Sequence, residues 1–402
     1  MLRSFYYSFF LLCTLFCINC QGQTPKVSIQ ELSPDFDKNP PFFYKMPSRL
    51  SAKDTSPNFH ESGQQILLTG RVFQHDGITP APNVILYYYQ TNTDGIYPID
   101  ASQSRNMPKN ALGQSHGYIR GWVKSDANGR YAIHTLMPGS YPSRNEVAHV
   151  HVTVKDPLVA TPYYIDNFVF DDDPLLTTAR RKKLENRAGS GVIRFVKDQN
   201  LLVGERDIIL GLNIPNYPAL QKKSIDSGKA IGEEVRSFTP YHAFGPDQNT
   251  TACPVCKYGW YQGILYFVGN HPNWDDIEAW LTFLEKESQK RKTYLKVYFV
   301  YGNSKAFDHS ARRRKLKALG EKLNLKEVAL TFVPSFKDST SEINTNEINP
   351  EVQNTFVIYK RSRIVAKFVN LEPNPSHFDS LSQTLDQTKS PYFRFPKVKK
   401  SN

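Results

Sequence analysis

His149-Val150-His151-Val152-Thr153-Val154 is the stretch on which the reading of the first half of this chain turns. Alternation over six residues is the period-two signature of a strand with one face turned to a core. The valines share one face, and the two imidazoles share the other with Thr153. Working outward, short apolar or alternating runs recur at 66–73, 84–89, 118–123 and 131–135. Turn signals punctuate them: Asp76-Gly77, Asp94-Gly95, Asn128-Gly129 and Pro138-Gly139. Two helical turns over 177–186 are peripheral to this pattern, which predicts a β-sandwich over residues 63–220. Residues 21–62, rich in Pro, Ser, Asn and Lys and without sustained period, read as an extended leader.

Two imidazoles on one strand face can chelate one ion. Tyr97, just after a turn, and Tyr141, just after Pro138-Gly139-Ser140, could add phenolate oxygens. These are hard anionic donors suited to Fe(III) rather than Zn(II) or Cu(I). The plainer reading makes the histidines polar-face strand residues and the tyrosines packing; His-x-His alone does not choose between them.

A set of motifs in order adds a resemblance. Leu68-Thr69-Gly70-Arg71-Val72, Asp94-Gly95-Ile96-Tyr97 and Ser125-Asp126-Ala127-Asn128-Gly129-Arg130-Tyr131 are similar to segments of the intradiol ring-cleavage dioxygenases. So are Met137-Pro138-Gly139-Ser140-Tyr141-Pro142, Ala148-His149-Val150-His151-Val152 and Asp172-Asp173-Pro174-Leu175, with Pro40-Pro41-Phe42-Phe43-Tyr44 ahead of them. The resemblance covers roughly residues 40–215. It implies a β-sandwich holding one non-haem Fe(III) through Tyr97, Tyr141, His149 and His151. It further implies cleavage of a catecholic ring by O2 to a cis,cis-muconate-type diacid, with Tyr141 displaced by substrate and taking a substrate proton. The family's Arg three residues before the first His is Glu146 here, which makes Arg144 the nearest stand-in; Asn167 lies where the family often has Gln. The helical dimerisation segment expected of catechol 1,2-dioxygenases is absent from this sequence, whose core is closer to protocatechuate-type enzymes.

Beyond a Lys-, Ser- and Gly-rich stretch at 221–234, read as a flexible linker between independently folding halves, strands and helices alternate. Strands are predicted at 263–268, 295–301 and 329–333, helices at 274–290 and 310–323, and a closing hairpin at 355–359 and 364–369. That alternation is α/β, so the chain is multi-domain. The order of elements resembles the thioredoxin-like fold over residues 235–385, with 386–402 as a tail. Cys253-Pro254-Val255-Cys256 precedes the first strand of that unit instead of following it, and Asn354 stands where the fold's cis-proline is expected. The pair reads as redox-active, as a structural disulfide, or as half of a metal site.

Residues 1–20 carry one charge, Arg3, then an apolar run ending at Cys20, with Gln21-Gly22-Gln23 behind it. This is an export signal too short to span a membrane. It resembles a bacterial lipoprotein signal with Cys20 as the lipidated residue, although Asn19 and Cys17 depart from its usual residues. The expected location is the periplasm or outer membrane, with simple secretion as the alternative. Hydrophobic residues at 40% and charged residues at 22% exclude a disordered chain and a polytopic membrane protein. The net charge of +12 is spread along the sequence, and Arg312-Arg313-Arg314-Lys315 reads as a solvated helix face rather than a nucleic-acid footprint. The competing function is an exported thiol-redox or binding lipoprotein with a catalytically inactive sandwich.

Overall fold

The structure, a computed structural model, describes residues 32–142, 145–218, 227–305 and 307–392. Cys20 and Arg144 lie outside the described residues. Two sheets enclose the first core. One runs in the order Lys53–Thr55, Arg130–Leu136, Gln65–Phe73, Leu201–Glu205, Phe195–Asp198, with Ile208–Ile209 also on Gln65–Phe73. The other runs Arg120–Lys124, Ile85–Gln90, His149–Lys155, Phe168–Phe170, Val192–Ile193, with Tyr163–Tyr164 beside His149–Lys155. Leu68 and Ile133 from the first sheet meet Leu86, Val150, Val152 and Val154 from the second in one buried cluster. The valines of the His-x-His strand therefore face the core, and the imidazoles look out of the sandwich.

The leader is more structured than its composition suggests. Lys53–Thr55 pairs in parallel with Arg130–Leu136. Phe42 packs with Tyr87, Tyr89 and Trp122, and the Trp122 indole N–H donates to its carbonyl at 2.7 Å. Aromatic anchors replace strand periodicity here, so no period shows in the sequence. The helical turns expected over 177–186 shorten to Thr178–Arg181.

The second unit is a mixed six-stranded sheet in the order Tyr241–Phe244, Ala329–Phe332, Leu295–Tyr301, Gln262–Val268, Thr355–Lys360, Arg363–Val369. The central strands pair in parallel through connections carrying helices Trp274–Lys290 and His309–Lys322, and the last two strands are an antiparallel hairpin. Ile277, Trp280, Leu281 and Leu284 bury the expected face of the first helix. Arg312 leaves the solvated face assigned to its basic run: it is buried, and its guanidinium donates to the carbonyls of Val333 and Asn303. Among the described residues no helix is long and apolar enough to cross a membrane.

The stretch 221–234 and the tail also depart from expectation. Residues 227–234 are packed: Gly228 N–H donates to Glu347 O, Gly232 N–H to Ile364 O, and Ser190 N–H to Gly232 O. Residues 221–226 lie outside the described residues. Helix Pro375–Thr388 runs past the boundary placed at 385, and Ser390 beyond it is buried against the Glu205 carboxylate. The two units share a polar contact surface rather than a bare tether. Arg194 pairs with Glu234 at 2.6 Å, and Arg361 with Glu205 at 3.1 Å.

Candidate metal centre

Two loops and one strand deliver the four side chains singled out in the sequence. In the loop after Ile85–Gln90, the Asn92 side-chain carbonyl accepts from Asp94 N–H and Ile96 N–H, which reverses the chain just before Tyr97. Gly95 makes that turn at φ +77°, and a Cβ there would sit 1.9 Å from Ser140 O. Only glycine lets the Tyr97 loop lie flat against the Tyr141 loop. Gly139 N–H then donates to Asn92 O at 2.8 Å, fastening the two loops together. The strand bearing the histidines is held at its start by Asp173, whose carboxylate accepts from Ala148 N–H at 2.7 Å and Leu175 N–H at 2.8 Å.

These constraints bring Tyr97, Tyr141, His149 and His151 together, all half-buried. The phenol oxygens of Tyr97 and Tyr141 are in direct contact. Tyr141 Oη lies 3.2 Å from His151 Nε2, and the two Nε2 atoms lie 2.9 Å apart. His149 Nδ1 is 2.8 Å from Val147 O, an acceptor, so Nδ1 carries the proton and Nε2 the lone pair. His151 Nδ1 is 3.1 Å from Asn167 Oδ1, which assigns the same tautomer. Burial holds the His151 imidazole down at about 3, with His149 beside it adding to the effect. Burial likewise lowers His149, so both rings are neutral near pH 7. Two lone pairs thus face each other with no proton between them. Burial, and after it the neighbouring Tyr141, push the Tyr97 phenol well above its ordinary range.

That donor set is complementary to a small, highly charged cation. Two neutral imidazoles and two oxygens able to ionise fit Fe(III), whose charge would reverse the upward pressure on the phenols. Among the described residues there is no group of three or more His, Cys, Asp and Glu placed to hold a metal; this cluster reaches four donors only by counting its tyrosines. Asn167, singled out as catalytic, here holds the His151 tautomer. A cleft of about 610 Å³ opens beside Tyr141, His149 and His151. Its wall includes Arg180, Lys183 and Glu146. Arg180 was not singled out in the sequence, because its short helix reads as peripheral; its guanidinium is aimed by Asn145 O at 2.8 Å and Leu175 O at 3.0 Å. Cys253 and Cys256 stand apart from this cluster as a disulfide in the second unit, with Cys256 exposed.

Residues 38–179 match the model of a family described as dioxygenase. The protocatechuate 3,4-dioxygenase beta chain of Burkholderia cepacia is 29% identical over 130 residues, which is 31% of this chain and 52% of that protein. The chain therefore spans about half the length of the curated relative it matches. Among solved structures, similarity extends to the dioxygenase domain of a dioxygenase–carbohydrate-binding fusion from Streptomyces sp. SirexAA-E, with 22% identity, TM-score 0.30, and coverage of 41% of this chain and 88% of that one. A hydroxyquinol 1,2-dioxygenase from Pseudomonas putida DLL-E4 gives 20% identity, TM-score 0.30, and coverage of 41% and 61%. An intradiol ring-cleavage dioxygenase from Tetranychus urticae gives 16% identity, TM-score 0.28, and coverage of 41% and 88%. The family match lies within the half of the chain that carries the four-residue cluster.

Proposed function

We propose that the first unit is a non-haem Fe(III) intradiol dioxygenase that opens a catechol-type ring with O2 to a cis,cis-muconate-type diacid. The observation that carries this reading is the facing pair of imidazole lone pairs, each fixed by an acceptor on its other nitrogen and joined by two phenol oxygens. Tyr97, Tyr141, His149 and His151 would hold the iron. Ferric iron, when bound, supplies Lewis acidity that favours the dianion of an aromatic diol. The protein's own part is to bind, orient and move protons. Tyr141 Oη lies beside His151 Nε2 and its side chain lines the cleft, which supports giving it the proton from a substrate hydroxyl. Tyr97 and His149 are then left to hold position. Arg180 in the cleft wall can supply the positive charge that the sequence lacks at Glu146.

The reaction balances without a reductant, since both oxygen atoms enter the product, so nothing in it calls on the disulfide. We assign the α/β unit to the thioredoxin-like class on its strand order, and the whole protein to the exported, lipid-anchored class through Cys20. A formed disulfide at the exposed residue Cys256 favours a second reading, a thiol-redox or binding protein with an inactive sandwich. One experiment separates them. Purified full chain is loaded aerobically with iron, and its visible spectrum and O2 uptake are recorded with catechol, protocatechuate and hydroxyquinol. Tyrosinate–iron colour with uptake on at least one diol is expected; a colourless protein ends the dioxygenase reading.

A further inference from the structure

Arg363 belongs to the closing hairpin of the α/β unit, yet its two terminal guanidinium nitrogens bond to the sandwich. It is 6% exposed, and it donates to the main-chain carbonyls of Ser190 at 2.9 Å, Val192 at 3.0 Å and Glu205 at 3.0 Å. Burial lowers its pKa, so the fold bears a real cost to keep a cation there. A second buried guanidinium, Arg206 of the sandwich, takes the carbonyls of Arg187 and Gly189 from the same segment, and that of Asp166 beside it. Residues 187–192 are thus strapped from both ends by arginines, one from each unit.

What the strap presses against is the metal centre. Gly191 O accepts from Val169 N–H at 3.0 Å, and Val169 is the register partner of His149. The strap crosses Asn167 so closely that a Cβ on Gly191 would lie 2.1 Å from Asn167 O. Asn167 in turn fixes the His151 tautomer through Nδ1. We infer that Arg363 is a positioning residue for the metal centre: it reaches across the unit boundary and, through residues 190–192, sets Asn167 and Val169, and with them His151 and His149. The inference rests on the iron reading above. It gives the α/β unit a mechanical part in the dioxygenase half that needs no electron from its disulfide.

The test uses the full chain. Ferric iron affinity is measured by chelator competition, with the visible band and the melting temperature of the iron-free protein alongside, for wild type, Arg363→Met and Arg361→Met. Arg361 lies in the same interface but bonds the Glu205 carboxylate, away from the strap. Both variants are expected to lower the melting temperature. Only Arg363→Met is expected to weaken iron binding, by tenfold or more, and to shift the band; Arg361→Met should stay within twofold. If Arg363→Met does not fold, Arg363→Lys takes its place, since one ammonium cannot span the three carbonyls, and at least a threefold loss is expected. Wild-type iron affinity and band in whichever variant folds overturns the inference and leaves the iron reading standing. A wild-type protein that takes up no iron sinks that reading, and the inference with it.

Discussion

At the candidate metal centre each imidazole has one nitrogen committed to an acceptor, so only the other can serve an ion, and each phenol contributes a single oxygen. Removing one donor leaves three. Tyr97→Phe and His151→Ala should therefore strip iron and colour, read by metal analysis and absorbance; stoichiometric iron in either would show the ligand set to be misassigned. Tyr141→Phe should retain part of its iron and lose most of its turnover, because the residue is given a proton-transfer task as well. Unchanged turnover would remove it from the mechanism. A further residue-scale effect lies behind the site, at His116. Its ring stacks on Tyr89 at 3.5 Å, which stacks on His151 at 4.4 Å, and Phe36 and Arg120 also face it. Its Nδ1 is 2.8 Å from Tyr87 Oη, and burial, with His151 and Arg120 adding to it, holds the imidazole well below its ordinary value. The unfolded chain takes up this proton near pH 6.5 and the folded chain does not, so stability is present above about pH 6.5 and is lost as pH falls. The loss amounts to about 1.4 kcal/mol per pH unit for one such group. His116→Gln should flatten melting temperature against pH between about 6.5 and 5 relative to wild type. Parallel curves would mean that His116 titrates in the fold as freely as outside it.

Among the elements, the strap 187–192 has little room to change. Gly191→Ala places a methyl against the Asn167 carbonyl, which is backbone and cannot swing aside. A destabilisation of about 1–3 kcal/mol is expected, with weakened iron binding; full stability in a denaturant titration would show that the strap can move off. This element also marks where the sequence stops being legible. The runs around Leu68, Leu86 and Val152, and the helix around Trp280, announce themselves because each buries one face of a long regular element. The pairs Tyr163–Tyr164, Val192–Ile193 and Ile208–Ile209 are two residues long, and no period exists in two residues. Four chemistry-bearing side chains were legible because residue type and motif order survive without knowing the fold. Asn167 was legible as a position but not as the partner of His151 Nδ1, since that contact comes from strand pairing. Arg363 and Arg206 were not legible at all: a charged residue in sequence reads as solvated, and nothing local reveals three waiting carbonyls.

For the whole molecule, the question is what the second unit does for the first. Ring cleavage consumes no reductant, so Cys253→Ser with Cys256→Ser in the full chain should leave turnover within about twofold, roughly 0.4 kcal/mol in the barrier. Cutting the chain is a different operation. Composition at 221–234 reads as a tether, and on that reading a chain cut near Ser224 would keep its iron and colour. The contacts argue otherwise. Truncation removes Arg363 from three carbonyls, Arg361 and Lys360 from the Glu205 carboxylate, and Glu234 from Arg194. Glu205 and Arg194 are mostly buried in the intact chain, so the cut exposes them and leaves the strap with the Arg206 guanidinium but without that of Arg363. We expect the shortened chain to melt at least about 2–4 °C lower, the shift that 1 kcal/mol produces in a domain of about 150–250 residues. We also expect it to bind iron more weakly than the double Ser protein, which keeps every one of these bonds. Equal iron affinity and equal melting temperature in the two proteins would return the α/β unit to the status of an attached passenger.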